Sequence, residues 1–215
     1  MKNNTEPGLT IEAIRQALQR PLPGLAAQLR MSPPGRPSAI PQTAPPPREA
    51  GVLLLLYPKE NELHFVLTQR TERLGNHSGQ ISFPGGRREP DDADLAATAL
   101  RETHEELGVA LNDIELLGPL TPLYVPPSHF LIQPSVAYLP HAPAFNPNTA
   151  EVAEVIETPL TVLWDEATKG AEMRTLISQN GKQVLTPHYR IAGHNVWGAT
   201  AMILSEFEQL LRLQH

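Results

Sequence analysis

The sequence contains no cysteine. This absence excludes disulfide bonds, zinc sites with thiolate ligands and a cysteine nucleophile, and it agrees with a reducing compartment. The first ten residues lack the apolar segment of a secretory signal peptide. The longest uninterrupted apolar run, residues 52–57, has six residues, whereas a membrane-spanning helix needs about 20. We therefore expect a soluble, cytoplasmic protein with no membrane partner.

Aromatic and basic residues are also scarce. Aromatic residues make up 5% of the 215 residues, and 23 Asp and Glu against 17 Lys and Arg give a formal net charge of −6. Such a chain lacks the electrostatic footprint of a nucleic-acid-binding protein, so an anionic small molecule would need a local basic patch. The sequence also has no GxSxG motif, P-loop or Rossmann GxGxxG motif, which leaves covalent acyl transfer and hydride transfer without support.

Proline is abundant and unevenly distributed. Nine of the 23 prolines lie in residues 21–49, a stretch with almost no apolar periodicity, which indicates an extended surface connector. Before it, residues 10–19 predict a short amphipathic helix capped by Thr10. We therefore divide the chain into a helix plus Pro-rich connector, residues 1–49, and one compact domain, residues 50–215.

The compact domain predicts more strands than helices. Residues 93–107 carry a helical apolar stripe, with aspartates before it and Gly108 after it. The last eighteen residues, 198–215, predict a closing helix. The predicted strands fall within residues 51–57, 63–70, 114–124, 130–139, 151–160 and 184–191.

Three carboxylates lie on one face of the predicted 93–107 helix. Glu102, Glu105 and Glu106 stand at i, i+3 and i+4, within an arc of roughly 100°. Their mutual repulsion would be relieved by a cation, and oxygen ligands of this kind suit Mg²⁺ or Mn²⁺. Arg101, four residues before Glu105, could steady that carboxylate. The helix considered alone is better explained by a solvated acidic face.

Paired glycines precede this helix. Gly85 and Gly86 permit backbone conformations closed to other residues and the close approach of an oxyanion or a metal ligand, while Pro84 fixes the entry of the chain. A plain tight turn would explain the same residues.

The glycines and the acidic helix together resemble the Nudix hydrolase family. Gly86 and residues 101–109, RETHEELGV, correspond to the two ends of the family's box. The sequence departs from the box by one extra residue before Arg101, by Thr103 at an aliphatic position, and by the acidic run 91–94 where the family has a Glu. The resemblance implies the α/β Nudix fold, an α/β/α sandwich around a mixed β-sheet, and a metal held by Glu102, Glu105 and Glu106.

The residues before the box narrow the resemblance. LTQRTERLGNHSGQISFPGG, residues 67–86, is similar to the signature of the coenzyme A pyrophosphatase branch, and the likeness extends over residues 50–212. Gly75 stands where that branch usually has Arg. The resemblance implies hydrolysis of coenzyme A or acyl-CoA to 3′,5′-ADP and 4′-phosphopantetheine. The substrate-binding residues that we expect are Arg70, Arg73, His77, Gln80, Gly85 and Gly86. The resemblance implies the roles of His77 and Gln80, whereas Arg70 and Arg73 belong to a local basic zone that suits phosphate groups.

The implied catalytic residues are Arg101, Glu105 and Glu106. The general base is left open between Glu106, Glu151 and Glu154. Two other functions are left open: hydrolysis of another diphosphate such as ADP-ribose or NADH, and a Nudix-shaped module that binds a nucleotide without cleaving it. We expect a small-molecule partner and leave a homodimer open.

Overall fold

A computed structural model of the chain describes residues 9–71, 79–176, 179 and 181–213. The helices are α1 (Ile11–Leu18), α2 (Gly24–Gln28), α3 (Leu95–Leu107) and α4 (Gly198–Arg212), with 3₁₀ turns at Leu29–Met31, Leu160–Leu163 and Glu166–Thr168. The strands are β1 (Arg48–Lys59), β2 (Glu62–Arg70), β3 (Ile81–Ser82), β4 (Gly85–Arg87), β5 (Glu115–Pro119), β6 (Leu123–Val125), β7 (Phe130–Tyr138), β8 (Val152–Pro159), β9 (Lys169–Leu176), β10 (Lys182–Ile191) and β11 (His194–Trp197). None of the helices in this part of the chain is long and apolar enough to span a membrane.

Strand β1 is the centre of an eight-stranded mixed sheet. It pairs with β7 in parallel and with β2 and β4 in antiparallel orientation. The sheet has the order β3-β2-β1-β7-β5, and β4, β6 and β8 pair with β1, β7 and β2 respectively. Strands β11, β10 and β9 form a separate antiparallel sheet.

The two faces of β1 are both buried. Leu53 and Leu55 point into an apolar cluster that includes Ala99 and Leu107 of α3. Leu54 and Leu56 point the other way, into a cluster with residues of α1 and α4. Because successive side chains of a strand alternate between faces, one continuous apolar run serves both layers. The predicted α/β/α sandwich around a mixed sheet is confirmed.

The Pro-rich connector differs from its prediction. Residues 24–31 contain no proline and are helical rather than extended, with Ala27, Gln28 and Met31 buried. The Gln28 side chain donates to a Glu206 oxygen of α4 at 2.8 Å and to the Thr121 carbonyl at 2.9 Å. Five residues of α-helix are too few to be stable alone, so packing on α4 stabilises this segment. The division at residue 49 stays a prediction.

Helix α3 lies unusually close to β1. Its start is set by Asp94, whose side chain accepts a hydrogen bond from the Ala97 amide at 2.8 Å, so the helix begins two residues later than the sequence predicted. A Cβ atom added to Gly51 of β1 would overlap the carbonyl oxygen of Leu95. The absence of a side chain at Gly51 therefore sets how near the first turn of α3 comes to the sheet.

We predict that Gly51→Ala lowers the free energy of unfolding by about 1–3 kcal/mol, because the added methyl group pushes against the backbone of α3. Urea denaturation measures this loss. Gly193→Asn is the control, since Gly193 has a φ of 84° with nothing within 4 Å of an added Cβ and Asn tolerates that backbone conformation. Equal stability of Gly51→Ala and the native chain would contradict the assigned contact.

Candidate active site

Strand β4 carries the paired glycines to the carboxylates of α3. Gly85 and Gly86 pair with Val52 and Gly51 of β1, which fixes their backbone beneath the helix. The Gly85 amide lies 3.4 Å from Oε2 of Glu106. A Cβ atom added to Gly86 would overlap the Glu102 carboxylate. The glycines thus leave the space in which the helix carboxylates lie.

The two glycines are required for different reasons. Gly85 has a φ of 151°, and an added Cβ would overlap the Gly51 carbonyl and the Val52 backbone. Gly86 meets only the end of a flexible side chain, that of Glu102. A larger residue at Gly85 therefore strains the sheet, whereas one at Gly86 displaces a site carboxylate.

The three carboxylates of α3 lie in different surroundings. The side chain of Glu106 is 6% exposed and that of Glu105 is 53% exposed, with Glu102 between them at 17%. Nη1 of Arg101 donates to Glu102 at 3.0 Å and to Glu105 at 3.1 Å. Within the described residues, no three acidic or histidine side chains converge as a ready metal cage. Glu102 and Glu106 border the glycine strand, and Glu105 is turned toward Arg101.

Asp92 anchors Arg101, a role that the sequence did not identify. Its two oxygens accept hydrogen bonds from Nε and Nη2 of Arg101, each at 3.0 Å. The Asp92 carboxylate also accepts from the Glu89 amide at 2.8 Å and from the Thr98 hydroxyl at 2.9 Å. These bonds, with that from Arg101 first, hold the pKa of Asp92 well below its usual range. The sequence offered Asp91, Asp92 and Asp94 without a feature that separates them.

Arg101 links Asp92, the helix carboxylates and the glycine strand; its catalytic role stays a prediction. Besides its carboxylate partners, its Nη2 donates to the Arg87 carbonyl at 3.1 Å, which ties α3 to the end of β4. The hydrogen bond to Asp92 raises its pKa above an already high value, so it stays a cation throughout the working range of pH. The expected contact of Arg101 with Glu105 is present.

The carboxylate of Glu106 is buried, and its ion pair with Arg70 is long. Burial raises the pKa of Glu106 to about 8, and the charges of Glu102 and Glu151 add to the rise. Arg70 opposes it, but its Nη1 is 3.9 Å from the Glu106 carboxylate. Burial likewise raises the pKa of Glu102. Carboxylates that disfavour their charged form are stabilised as anions by a nearby divalent cation.

The residues present fit a divalent cation. Glu102, Glu106 and Glu151 repel one another electrostatically, and all their donor atoms are oxygens, which suit Mg²⁺ or Mn²⁺.

Two of the candidate general bases, Glu151 and Glu154, differ in their contacts. The Asn148 amide donates to the Glu106 carbonyl at 2.9 Å, and the Glu151 amide donates to the Asn148 carbonyl at 2.9 Å. This turn holds Glu151 beside the end of α3, where its charge affects Glu102 and Glu106. Glu154 instead contacts Nε2 of His194 at 3.1 Å and is exposed.

Two cavities flank β4. One, of about 490 Å³, is bordered by Arg70, Gln80, Gly85 and Gly86 and is otherwise largely apolar. The other, of about 950 Å³, is more polar and is bordered by Arg48, Arg87, Arg88 and Glu102. Arg87 borders both cavities. The site therefore has an opening on each side of the glycine strand, with arginines in both.

Four of the six predicted substrate-binding residues border the 490 Å³ cavity: Arg70, Gln80, Gly85 and Gly86. The other two, Arg73 and His77, lie outside the described residues, as does Gly75. The cavity also includes Trp197, which the sequence analysis did not commit to the site. Trp197 immediately precedes α4 and stacks against the Arg174 guanidinium, 4.5 Å from the ring centroid.

Comparison with known proteins assigns the family. The NUDIX domain family matches residues 47–178. The chain belongs to the Nudix hydrolase family. Its Nudix fold is also found in a MutT/nudix family protein from Enterococcus faecalis, with a TM-score of 0.50, 15% identity, and coverage of 95% of this chain and 75% of that one.

Two relatives resemble this Nudix chain over most of its length. The Nudix hydrolase NudL of Photorhabdus laumondii is 35% identical over 180 residues, which are 80% of this chain and 93% of the relative. The human mitochondrial coenzyme A diphosphatase NUDT8 is 36% identical over 196 residues, 90% of this chain and 76% of the relative. The resemblance to the coenzyme A pyrophosphatase branch is thereby confirmed. The compartment of this chain and its assembly into a dimer stay predictions.

We predict that Gly86→Ala and Gly85→Ala fail in different ways. Gly86→Ala should unfold at nearly the native urea concentration but lose about 10–100-fold of its hydrolytic rate, because Glu102 is displaced from the glycine strand. Gly85→Ala should unfold at lower urea, because its added methyl group meets backbone. Urea denaturation and diphosphate hydrolysis measured on both proteins check this; unimpaired hydrolysis by Gly86→Ala would contradict it.

We predict that Asp92→Asn destabilises the protein and slows hydrolysis by about 10–100-fold, since Arg101 loses its ionic anchor. The folded pKa of Asp92 is depressed, so its stabilising effect is complete above the unfolded pKa near 3.9 and declines as the pH falls below it. Urea midpoints of the two proteins should therefore differ at pH 7 and approach each other toward pH 2. A constant difference across this range would argue against an ionic role.

Proposed function

We propose that this Nudix protein hydrolyses the diphosphate bond of coenzyme A or acyl-CoA, giving 3′,5′-ADP and 4′-phosphopantetheine or its acyl form. The observation that carries the proposal is the 36% identity to a human coenzyme A diphosphatase over 90% of this chain. The site agrees with it, because arginines border cavities on both sides of the glycine strand and guanidinium groups match phosphate oxygens.

We propose that Glu102, Glu105 and Glu106 hold one or more Mg²⁺ or Mn²⁺ ions in the working enzyme. Glu102 and Glu106 already border the glycine strand. Glu105 is exposed and hydrogen-bonded to Arg101, so its side chain must turn away from Arg101 to join them. When bound, a divalent cation supplies neutralisation of the diphosphate charge and a lower pKa for an attacking water.

The chain's own residues position the substrate and the proton acceptor. Backbone at Gly85 and Gly86 lets a diphosphate approach the carboxylates. Arg70 and Arg87 border the cavity beside these glycines and offset the negative charge of the diphosphate. Arg101, fixed by Asp92, keeps Glu102 and Glu105 oriented. A diphosphate held in this way has already lost translational and rotational entropy on binding, which lowers the barrier to its attack by an aligned water.

Glu151 is our choice of general base. It lies close enough to Glu102 and Glu106 to raise the pKa of both, yet no ion pair occupies its carboxylate among the described residues. Asn148 donates to its Oε1 at 3.3 Å, a contact that leaves the other oxygen to accept a proton. Glu154 is less suitable because His194 contacts its carboxylate.

One sequence feature keeps a second substrate class under consideration. Gly75 replaces an Arg that is usual in the coenzyme A branch, and the lost cation could weaken recognition of one phosphate. The alternative substrates are ADP-ribose and NADH, whose diphosphates lie between two nucleosides or a nucleoside and a ribose.

The deciding experiment compares hydrolysis of coenzyme A, ADP-ribose and NADH with Mg²⁺ and with Mn²⁺, with the products identified by mass. We expect 3′,5′-ADP and 4′-phosphopantetheine from coenzyme A at the highest kcat/KM. Faster cleavage of ADP-ribose or NADH would replace the proposed substrate. Tight binding of coenzyme A without any metal-dependent product would favour a non-catalytic module.

We predict that Glu106→Gln and Glu151→Gln each lower kcat by at least about 100-fold, whereas Glu154→Gln, the matched control, stays within about threefold.

Glu106→Gln should not destabilise the metal-free protein. Because the folded pKa of Glu106, about 8, lies above its unfolded value near 4.3, metal-free native protein loses stability as the pH rises between these values. Urea denaturation in EDTA at pH 5 and pH 8 should show this loss in the native chain and a smaller one in Glu106→Gln.

A near-normal rate for Glu106→Gln would refute its assigned role. A loss in Glu154→Gln equal to that in Glu151→Gln would remove the choice between the two bases.

A further inference from the structure

The 490 Å³ cavity has a cationic lining that its position at the glycine strand does not explain. Its charged residues are Arg36, Arg70 and Arg87, and no carboxylate borders it among the described residues. This local excess of positive charge occurs in a chain whose formal net charge is −6. Arg70 and Arg87 adjoin the diphosphate site. Arg36 comes from the Pro-rich segment and serves neither the carboxylates nor β4 in any described contact.

Arg36 is a partly buried guanidinium without an acidic partner. Its Nη2 donates to the Tyr124 carbonyl at 2.6 Å, and its Nη1 lies 3.0 Å from the sulfur of Met202. Among the described residues, no carboxylate lies within ion-pair distance of it. Burial lowers its pKa. A cation that is partly withdrawn from water and has only a carbonyl and a thioether as neighbours binds an anion favourably.

The backbone around Arg36 holds it in place before any ligand arrives. The Arg36 amide donates to the Pro33 carbonyl at 3.2 Å, and Gly35 has a φ of 72°, which together make a proline-glycine turn. Gln179 donates to the Pro34 carbonyl at 2.7 Å. A guanidinium on a turn fixed in this way loses little conformational entropy on binding.

We infer that Arg36 binds a second anionic group of the substrate, separate from the diphosphate, in this cavity. The inference rests on the proposed function. Coenzyme A offers one such group in every form, the 3′-phosphate of its nucleoside, and some acyl forms offer a carboxylate. The apolar part of the lining, which includes Phe83 and Trp197, would face the uncharged part of the ligand.

The test compares paired substrates that differ in one anionic group. Coenzyme A and 3′-dephospho-CoA differ in the 3′-phosphate; succinyl-CoA and acetyl-CoA differ in a terminal carboxylate. We expect Arg36→Gln to reduce the kcat/KM preference for coenzyme A over 3′-dephospho-CoA by about 10–100-fold, the effect of losing a charge-assisted hydrogen bond. Arg36→Lys, which keeps the charge, should restore part of the preference.

The control is Arg20→Gln. Arg20 is an exposed arginine of the same N-terminal region whose guanidinium donates to the Leu213 carbonyl at 3.4 Å, and it borders neither cavity. It should leave the preference unchanged. Loss of the preference in the succinyl pair alone would assign the acyl carboxylate to Arg36 instead of the phosphate. Equal losses on all four substrates, or none, would overturn the inference.

A binding measurement keeps the inference independent of turnover. Calorimetric titration with 3′,5′-ADP and with 5′-AMP should show tighter binding of 3′,5′-ADP to the native chain and a much smaller difference for Arg36→Gln. If the native chain cleaves no coenzyme A but shows this difference, the proposed function fails and Arg36 keeps its role as an anion site. If both nucleotides bind equally to both proteins, a 3′-phosphate role for Arg36 is excluded.

Discussion

The close approach of helix α3 to strands β1 and β4 is the constraint on which the site depends. Two glycines without side-chain atoms make it geometrically feasible: Gly51 beneath the first turn of the helix and Gly86 beneath Glu102. Backbone pairing between β1 and β4 then fixes the height of the glycine strand against the helix. A methyl group at Gly51 would push the backbone of α3 away from β1, and one at Gly86 would displace the Glu102 side chain from the glycine strand. The chemistry of the acidic helix is thus subordinate to packing at positions that carry no functional group.

Electrostatic repulsion among carboxylates is a second constraint on the site. Glu102, Glu106 and Glu151 would repel one another in any arrangement near the end of α3, and the fold offsets this with arginines on opposite sides. Arg101 is held from behind by Asp92, and Arg70 approaches Glu106 from β2 at 3.9 Å. The first pair is close and hydrogen-bonded, while the second is long. Hydrogen bonds therefore fix Arg101 in place, whereas the charge of Glu106 is only partly offset, at the point where the diphosphate is proposed to react.

The α/β/α layers were predicted from the resemblance to the Nudix family. Sequence pattern alone predicted the buried strand β1 and the acidic helix, because both rest on local features: a six-residue apolar run and carboxylates at helical spacing. It did not predict α2, since that helix depends on the contact of Gln28 with Glu206, 178 residues away. It could not choose Asp92 from the acidic run, because only the folded turn brings one of these carboxylates to Arg101. The same holds for the choice between Glu151 and Glu154, because it depends on the contact of Glu154 with His194, which lies on another sheet. Strands β9 and β11 were not predicted either: β11 has only four residues, and β9 alternates apolar and polar side chains only over residues 171–174.

The 490 Å³ cavity is assembled from residues inside and outside the range that matches the NUDIX domain. Pro33 and Arg36 precede the NUDIX match at residues 47–178, and Trp197 and Thr200 follow it. The matched range carries the carboxylates and the glycine strand, whereas residues on both sides of it complete the lining of the cavity. Sequence drift in the flanks can therefore reshape what enters the cavity without touching the groups proposed to break the bond. A chain built in this way can acquire a new ligand preference by changes at its two ends while its reaction centre remains as it was.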